Sequence, residues 1–218
     1  MNSNAQKLIN DFVTTRDSLH KEEDVRAGFT TVLKELSSVM GFDLQLTGHE
    51  VVSTHGGSAD SVYNNVIFEY KSPHKFNTKH GIDEAVFGRS TSLTDRGLFH
   101  YLINFTLDEN SNYDDEFSAS LKSKIGVGFD GYKFVFCRFI DSEDEIELYC
   151  KDKTSEFGKI NSNAKLKFEV DEVDDFYAGL KKLLLVLRST TRYRLSGKTL
   201  LTKFGPSSAL CKQSISKN

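Results

Sequence analysis

Three ionisable residues, Asp60, Glu69 and Lys71, have the types and spacing to hold a divalent cation and activate water. They lie in the stretch Gly56 to Pro73, where Ser61 to Tyr63 and Val66 to Tyr70 are rich in β-branched and aromatic residues and flank Asn64 and Asn65. An Asn pair tolerates positive φ and suits a two-residue hairpin turn. In a hairpin turning there, opposed residue numbers add to a constant, so Asp60 falls opposite Glu69 and Ser58 opposite Lys71. Alternation then gathers Asp60, Glu69 and Lys71 on one face and sends Phe68 and Tyr70 to the other. Directly opposed carboxylates, with Cβ atoms about 4.5–5.5 Å apart, destabilise a strand pair unless something compensates. Mg²⁺ is a suitable compensation, because it takes one or two carboxylates and keeps water or substrate phosphate in its other positions. The lysine beside them would orient or activate the attacking water. A solvated hairpin with a local Glu69–Lys71 ion pair, worth ~0–1 kcal/mol, is the structural alternative.

Asp60, a spacer, then Glu69-Tyr70-Lys71 resembles the PD-(D/E)XK nuclease motif, with Ala59 standing where the motif has its proline. Upstream, Glu22-x-x-x-Arg26 opens an expected helix ending at Gly41-Phe42, followed by a strand and then Gly56-x-x-Ala59-Asp60. That order is similar to the start of the nuclease domains of restriction–modification enzymes, and the similarity spans roughly residues 20 to 208. The resemblance implies an α/β, restriction-endonuclease-like fold: a mixed β-sheet flanked by helices. It implies an Mg²⁺ site, with Mn²⁺ as a substitute, formed by Asp60, Glu69 and Glu22, with Glu23 as the fallback for the helix glutamate. Lys71 would position the water, the substrate would be DNA, and the setting would be restriction or phage defence. A methyltransferase or specificity domain or subunit is the further partner it implies. Without the resemblance, Glu22, Glu23 and Asp24 read as acids stabilising a helix N-terminus through the macrodipole.

The elements that must position these residues follow from periodicity. Leu8, Ile9, Phe12 and Val13 predict an amphipathic helix over residues 4–17, and Val25, Phe29, Val32, Leu33, Leu36, Val39 and Met40 trace a second stripe ending at Gly41. Phe42 to Ser53 reads as a strand or strand pair in which Glu50 is a candidate to face the site, flanked by His49 and His55, which read as surface histidines. After a polar loop to His80, Gly81 to Val86 begins a helix interrupted at Gly88 to Thr94, and Leu98 to Leu107 forms another. The acidic run Asp108 to Glu116 reads as a solvated loop. Lys124 to Phe139 reads as a hairpin around Asp130-Gly131, with further strands at Glu145 to Cys150 and Leu166 to Val170. From Asp171 onward Val173, Phe176, Tyr177, Leu180, Leu183, Leu184 and Leu187 predict a helix docked on the core.

At 218 residues the chain supports a nuclease-like domain over 1–190 and a basic connector over 191–218. Cys137, Cys150 and Cys211 lack CxxC spacing, so reduced thiols and a cytoplasmic setting are expected, with no signal peptide and no membrane partner. The net charge of −3 is divided unevenly: residues 1–175 carry 19 Lys+Arg against 31 Asp+Glu, whereas residues 176–218 carry 9 Lys+Arg and no acid. Such asymmetry suits contact with a polyanion, or a basic helix packed on an acidic body. Two other classes of function stand beside the nuclease. One is a catalytically silent DNA-binding or assembly module on the same fold; the other is a different hydrolase using the histidines.

Overall fold

The computed structural model describes residues 3–42, 44, 46–54, 57–89, 96–110, 115–140 and 167–193. They form a mixed α/β fold around a six-stranded sheet, in which spatial order follows chain order. The strands are β1 (Leu46–Val52), β2 (Ser58–Tyr63), β3 (Val66–Tyr70), β4 (Ile125–Phe129), β5 (Phe134–Phe139) and β6 (Phe168–Val173). Every neighbouring pair is antiparallel except β3 and β4, which are parallel. A parallel pair needs a long crossover. Here the crossover carries three helices, α3 (Lys79–Phe87), α4 (Leu98–Asn110) and α5 (Asp115–Ser123).

Those three helices cover one face of the sheet, where Ile82, Ala85, Leu98, Leu102, Phe117 and Leu121 bury against Val62, Ile67, Val135 and Cys137. The other face is covered by α1 (Ser3–Thr15), α2 (Glu22–Val39) and α6 (Phe176–Tyr193). Phe12, Phe29 and Phe176 from those helices meet Phe129 and Phe134 of the sheet in one aromatic cluster, with Phe29 and Phe129 centroids 4.2 Å apart. Strand alternation explains the division, since Phe134 and Phe136 face one core while Val135 and Cys137 face the other. Burial on both faces makes β3 apolar throughout except at Glu69.

The hairpin turns at Asn64 and Asn65, as its two-residue loop requires, with Tyr63 opposite Val66 and Ser61 opposite Phe68. Asn64 takes the positive φ of 53° that such a turn uses. Helix α2 ends at the expected place, with Gly41 in the left-handed region at φ 70°.

The sequence reading needs correction in three places. The supposed acidic loop belongs largely to helices: α4 runs on to Asn110, and α5 begins at Asp115 because Phe117 and Leu121 bury fully. Asp171 to Val173 belong to β6, paired with β5, so the last helix starts at Phe176. The Asp130-Gly131 turn is longer than expected, and its second strand starts at Phe134 rather than Tyr132. The expected strand at Glu145 to Cys150, His55, and the connector beyond Tyr193 lie outside the described residues.

Candidate active site

The C-terminal end of β3 meets the first turn of α2, and this junction gathers the charged residues. Glu69 is the last but one residue of β3 and only 7% exposed, so its carboxylate has almost no water to solvate it. Lys71, just beyond the strand, returns along the same face because side chains two apart point the same way. Its Nζ stands 2.6 Å from Glu69 Oε1 and 3.7 Å from Glu22 Oε2. Glu22 opens α2 and reaches the ammonium, whereas its neighbour Glu23 is exposed.

Asp60 is held differently. Ladder pairing between β2 and β3 ends at Ser61 and Phe68, and the next donor, the Tyr70 backbone N–H, donates to Asp60 Oδ2 at 2.6 Å. A charge-assisted bond of this kind contributes about 1.5–3 kcal/mol and fixes the carboxylate at the open end of the hairpin. From α2, Arg26 comes to 3.9 Å of Asp60 Oδ1 and 3.3 Å of Glu50 Oε1. Arg26 lies one helical turn after Glu22, so both side chains descend from one face of α2 onto the sheet end. Glu50 reaches the guanidinium from β1 with a backbone φ of 51°, in a part of the strand where register with β2 is otherwise regular.

Gly57 opens the approach to Asp60. It has φ 90°, and a Cβ at this position would fall 2.7 Å from the Tyr101 ring. Only glycine lets the segment take this turn and pack so closely on α4.

Electrostatics follow from burial and from the pairing. Burial pushes Glu69 up to about 8, with Asp60 and Glu22 adding to the rise and Lys71 opposing it. Burial likewise raises Asp60, against the pull of the Tyr70 N–H, Lys71 and Arg26. Glu22 is raised by burial, partly offset by Lys71. For Lys71 burial acts to lower the pKa, but the Glu69 and Glu22 carboxylates outweigh it and hold the ammonium above its ordinary value. Lys71 is thus a cation and a hydrogen-bond donor near neutral pH.

These are carboxylate oxygen donors, the ligand type that suits a hard divalent cation. Among the described residues no group of three or more His, Cys, Asp or Glu is drawn into metal-holding array. Mg²⁺ asks for no such array, since one or two carboxylates with water suffice. Asp60 and Glu69 are the candidates for such a pair, and Glu22 reaches the ammonium that also meets Glu69. His49 takes no part: its Nδ1 lies 2.9 Å from Ser61 Oγ on the β1 and β2 pair.

Sequence reasoning passed over the reach of Arg26 to Asp60. The available signal was its place four residues after Glu22 in a helix that must cross the hairpin. Scans against protein-family models and searches of curated proteins and solved structures found no match to this chain. No described helix is long and apolar enough to cross a membrane.

Proposed function

We propose that this chain is a metal-dependent deoxyribonuclease, a PD-(D/E)XK-like endonuclease domain that hydrolyses phosphodiester bonds in DNA. The observation that carries the reading is the convergence of Glu22, Glu69 and Lys71, with Asp60 fixed beside them by Tyr70. The six-stranded mixed sheet with helices on both faces is compatible with a restriction-endonuclease-like fold.

Asp60 and Glu69 would hold Mg²⁺ or Mn²⁺, and Glu22 would support the site. When bound, the ion supplies Lewis acidity for a phosphoryl oxygen and a water of lowered pKa. Lys71, kept protonated by its carboxylate neighbours, acts as a hydrogen-bond donor that orients the attacking water or a non-bridging oxygen, and not as a general base. Arg26 limits repulsion between Asp60 and Glu50. Restriction or phage defence, with a methyltransferase or specificity domain or subunit as partner, is the setting this reading carries with it.

A second reading is a catalytically silent DNA-binding or assembly module, favoured by the close contact in which Lys71 covers Glu69 Oε1. Incubation with duplex and with single-stranded DNA, each in Mg²⁺, in Mn²⁺ and in chelator, separates the two. Cleavage only with metal supports the nuclease, and binding without cleavage under all three conditions supports the silent module.

A further inference from the structure

The parallel pairing of β3 and β4 brings two loops out of the sheet at the same edge as the carboxylate cluster. The Lys71 N–H donates to Phe129 O at 2.9 Å, so the chain after Lys71 and the chain after Phe129 leave side by side. One buried carboxylate ties the two loops together. Asp130, fully buried, accepts from Tyr132 N at 3.0 Å, from Lys133 N at 2.9 Å, and across the gap from Phe76 N at 2.8 Å.

The clamp sets up a column of planar groups. His74 takes a left-handed backbone, φ 65° and ψ 8°, which is uncommon outside glycine and costs of order 1 kcal/mol or more. This conformation lays the imidazole on Tyr132, centroids 4.0 Å apart and planes 27° from parallel. The Tyr132 hydroxyl donates to Asp17, and the Arg16 guanidinium lies over the ring at 4.3 Å. Tyr132 is thereby held by His74, Arg16 and Asp17, while His74 is itself exposed.

We propose that the exposed face of His74 is a stacking platform for an unpaired nucleobase of the strand whose phosphate enters the Asp60, Glu69 and Lys71 site. The inference rests on the nuclease reading and deepens it, by naming the substrate as a strand with an unpaired base close to the scissile phosphate. An aromatic face accepts any base and contributes to binding without reading sequence. A base within a duplex is already stacked on both neighbours, so the platform selects single strands, frayed ends or junctions. The strained backbone of His74, three residues past Lys71, keeps the ring in place before substrate arrives.

Binding of the full chain is measured in EDTA, so that no cleavage intervenes, using a short single-stranded oligonucleotide and an abasic strand of equal length and charge. The wild type should prefer the base-bearing strand. His74→Ala should lower affinity for that strand roughly five- to a hundredfold and leave the abasic strand unaffected. His74→Phe should restore the preference, with thermal melting of each variant recorded alongside. Equal binding of the two strands by the wild type overturns the platform whatever the variants do, as does a well-folded His74→Ala that keeps the preference. Metal-dependent cleavage is scored separately: cleavage without base preference removes the platform and leaves the nuclease, and base preference without cleavage does the reverse.

Discussion

Lys71 and Glu69 form a 2.6 Å ion pair in which neither side chain is more than 13% exposed. The carboxylate raises the pKa of the lysine, and the lysine opposes the rise that burial forces on the carboxylate. Removing the lysine leaves a carboxylate that burial already drives toward protonation. Lys71→Ala is therefore not neutral for the fold, as its spacing on the hairpin alone would suggest. It should cost about 1–3 kcal/mol near neutral pH, the loss being capped because Glu69, with its pKa at about 8, already favours its protonated form there. Chemical denaturation of Lys71→Ala beside Lys71→Met/Glu69→Gln measures this, and the double variant should recover part of the loss.

Stability in the absence of metal should fall as pH rises through the window set by Glu69. Its folded pKa is about 8 against an ordinary value of 4.5. Between these values the folded state holds a proton that the unfolded state has released, so this contribution is complete below 4.5 and lost as pH passes 8. Melting temperatures in EDTA from mildly acidic to mildly alkaline pH should decline, and Glu69→Gln should flatten that decline. Added Mg²⁺ should stabilise the wild type more on the alkaline side, because binding there displaces no proton.

Glu84 behaves in the opposite sense. It is 7% exposed and receives Lys75 Nζ at 2.9 Å and Arg89 Nε at 2.8 Å. The bond from Lys75 first, then that from Arg89, outweigh burial and hold its pKa down at about 2. That stabilisation is present above 4.5 and disappears as pH falls through about 2. Glu84→Gln should cost about 1–3 kcal/mol at neutral pH, after allowance for the half-open partners. The difference from wild type in a melting series should shrink in acid.

Much of this arrangement was legible in the sequence, and the losses have identifiable causes. Asn64-Asn65 between two β-rich runs specified the hairpin turn, and the apolar stripe from Val25 to Leu36 specified α2. Helix α5 was hidden because its core contact rests on Phe117 and Leu121 alone, set in acidic and polar residues that favour a loop when read locally. Asp171 and Glu172 resemble a helix N-terminus. They are instead strand residues, the first satisfied by Lys182 from α6, a contact no local pattern displays. Arg26 and Glu22 depend on where α2 crosses the sheet, and the His74 and Tyr132 stack depends on β3 lying beside β4. Both are tertiary facts. Periodicity names the faces of elements, but it does not say which ends meet.

The basic C-terminal portion should act on DNA through charge alone. Of its nine basic residues, Lys182 is already turned onto the body, bonded to Asp171 and lying 4.4 Å over the Phe136 ring. Replacing Arg188, Arg192 and Arg194 together by alanine should flatten the dependence of log affinity on log salt by up to about three steps of 0.9. An unchanged slope would show that DNA is held elsewhere.

Single-turnover cleavage of DNA by the purified wild type, Asp60→Asn and Glu69→Gln, each in Mg²⁺ and in EDTA and each checked by thermal melting, tests the central claim most directly. The account predicts metal-dependent cleavage by the wild type and a loss of at least a hundredfold in each folded variant, on the order of 3 kcal/mol in the barrier. Cleavage that survives Glu69→Gln or Asp60→Asn, or a wild type inert with Mg²⁺ and with Mn²⁺, would contradict it.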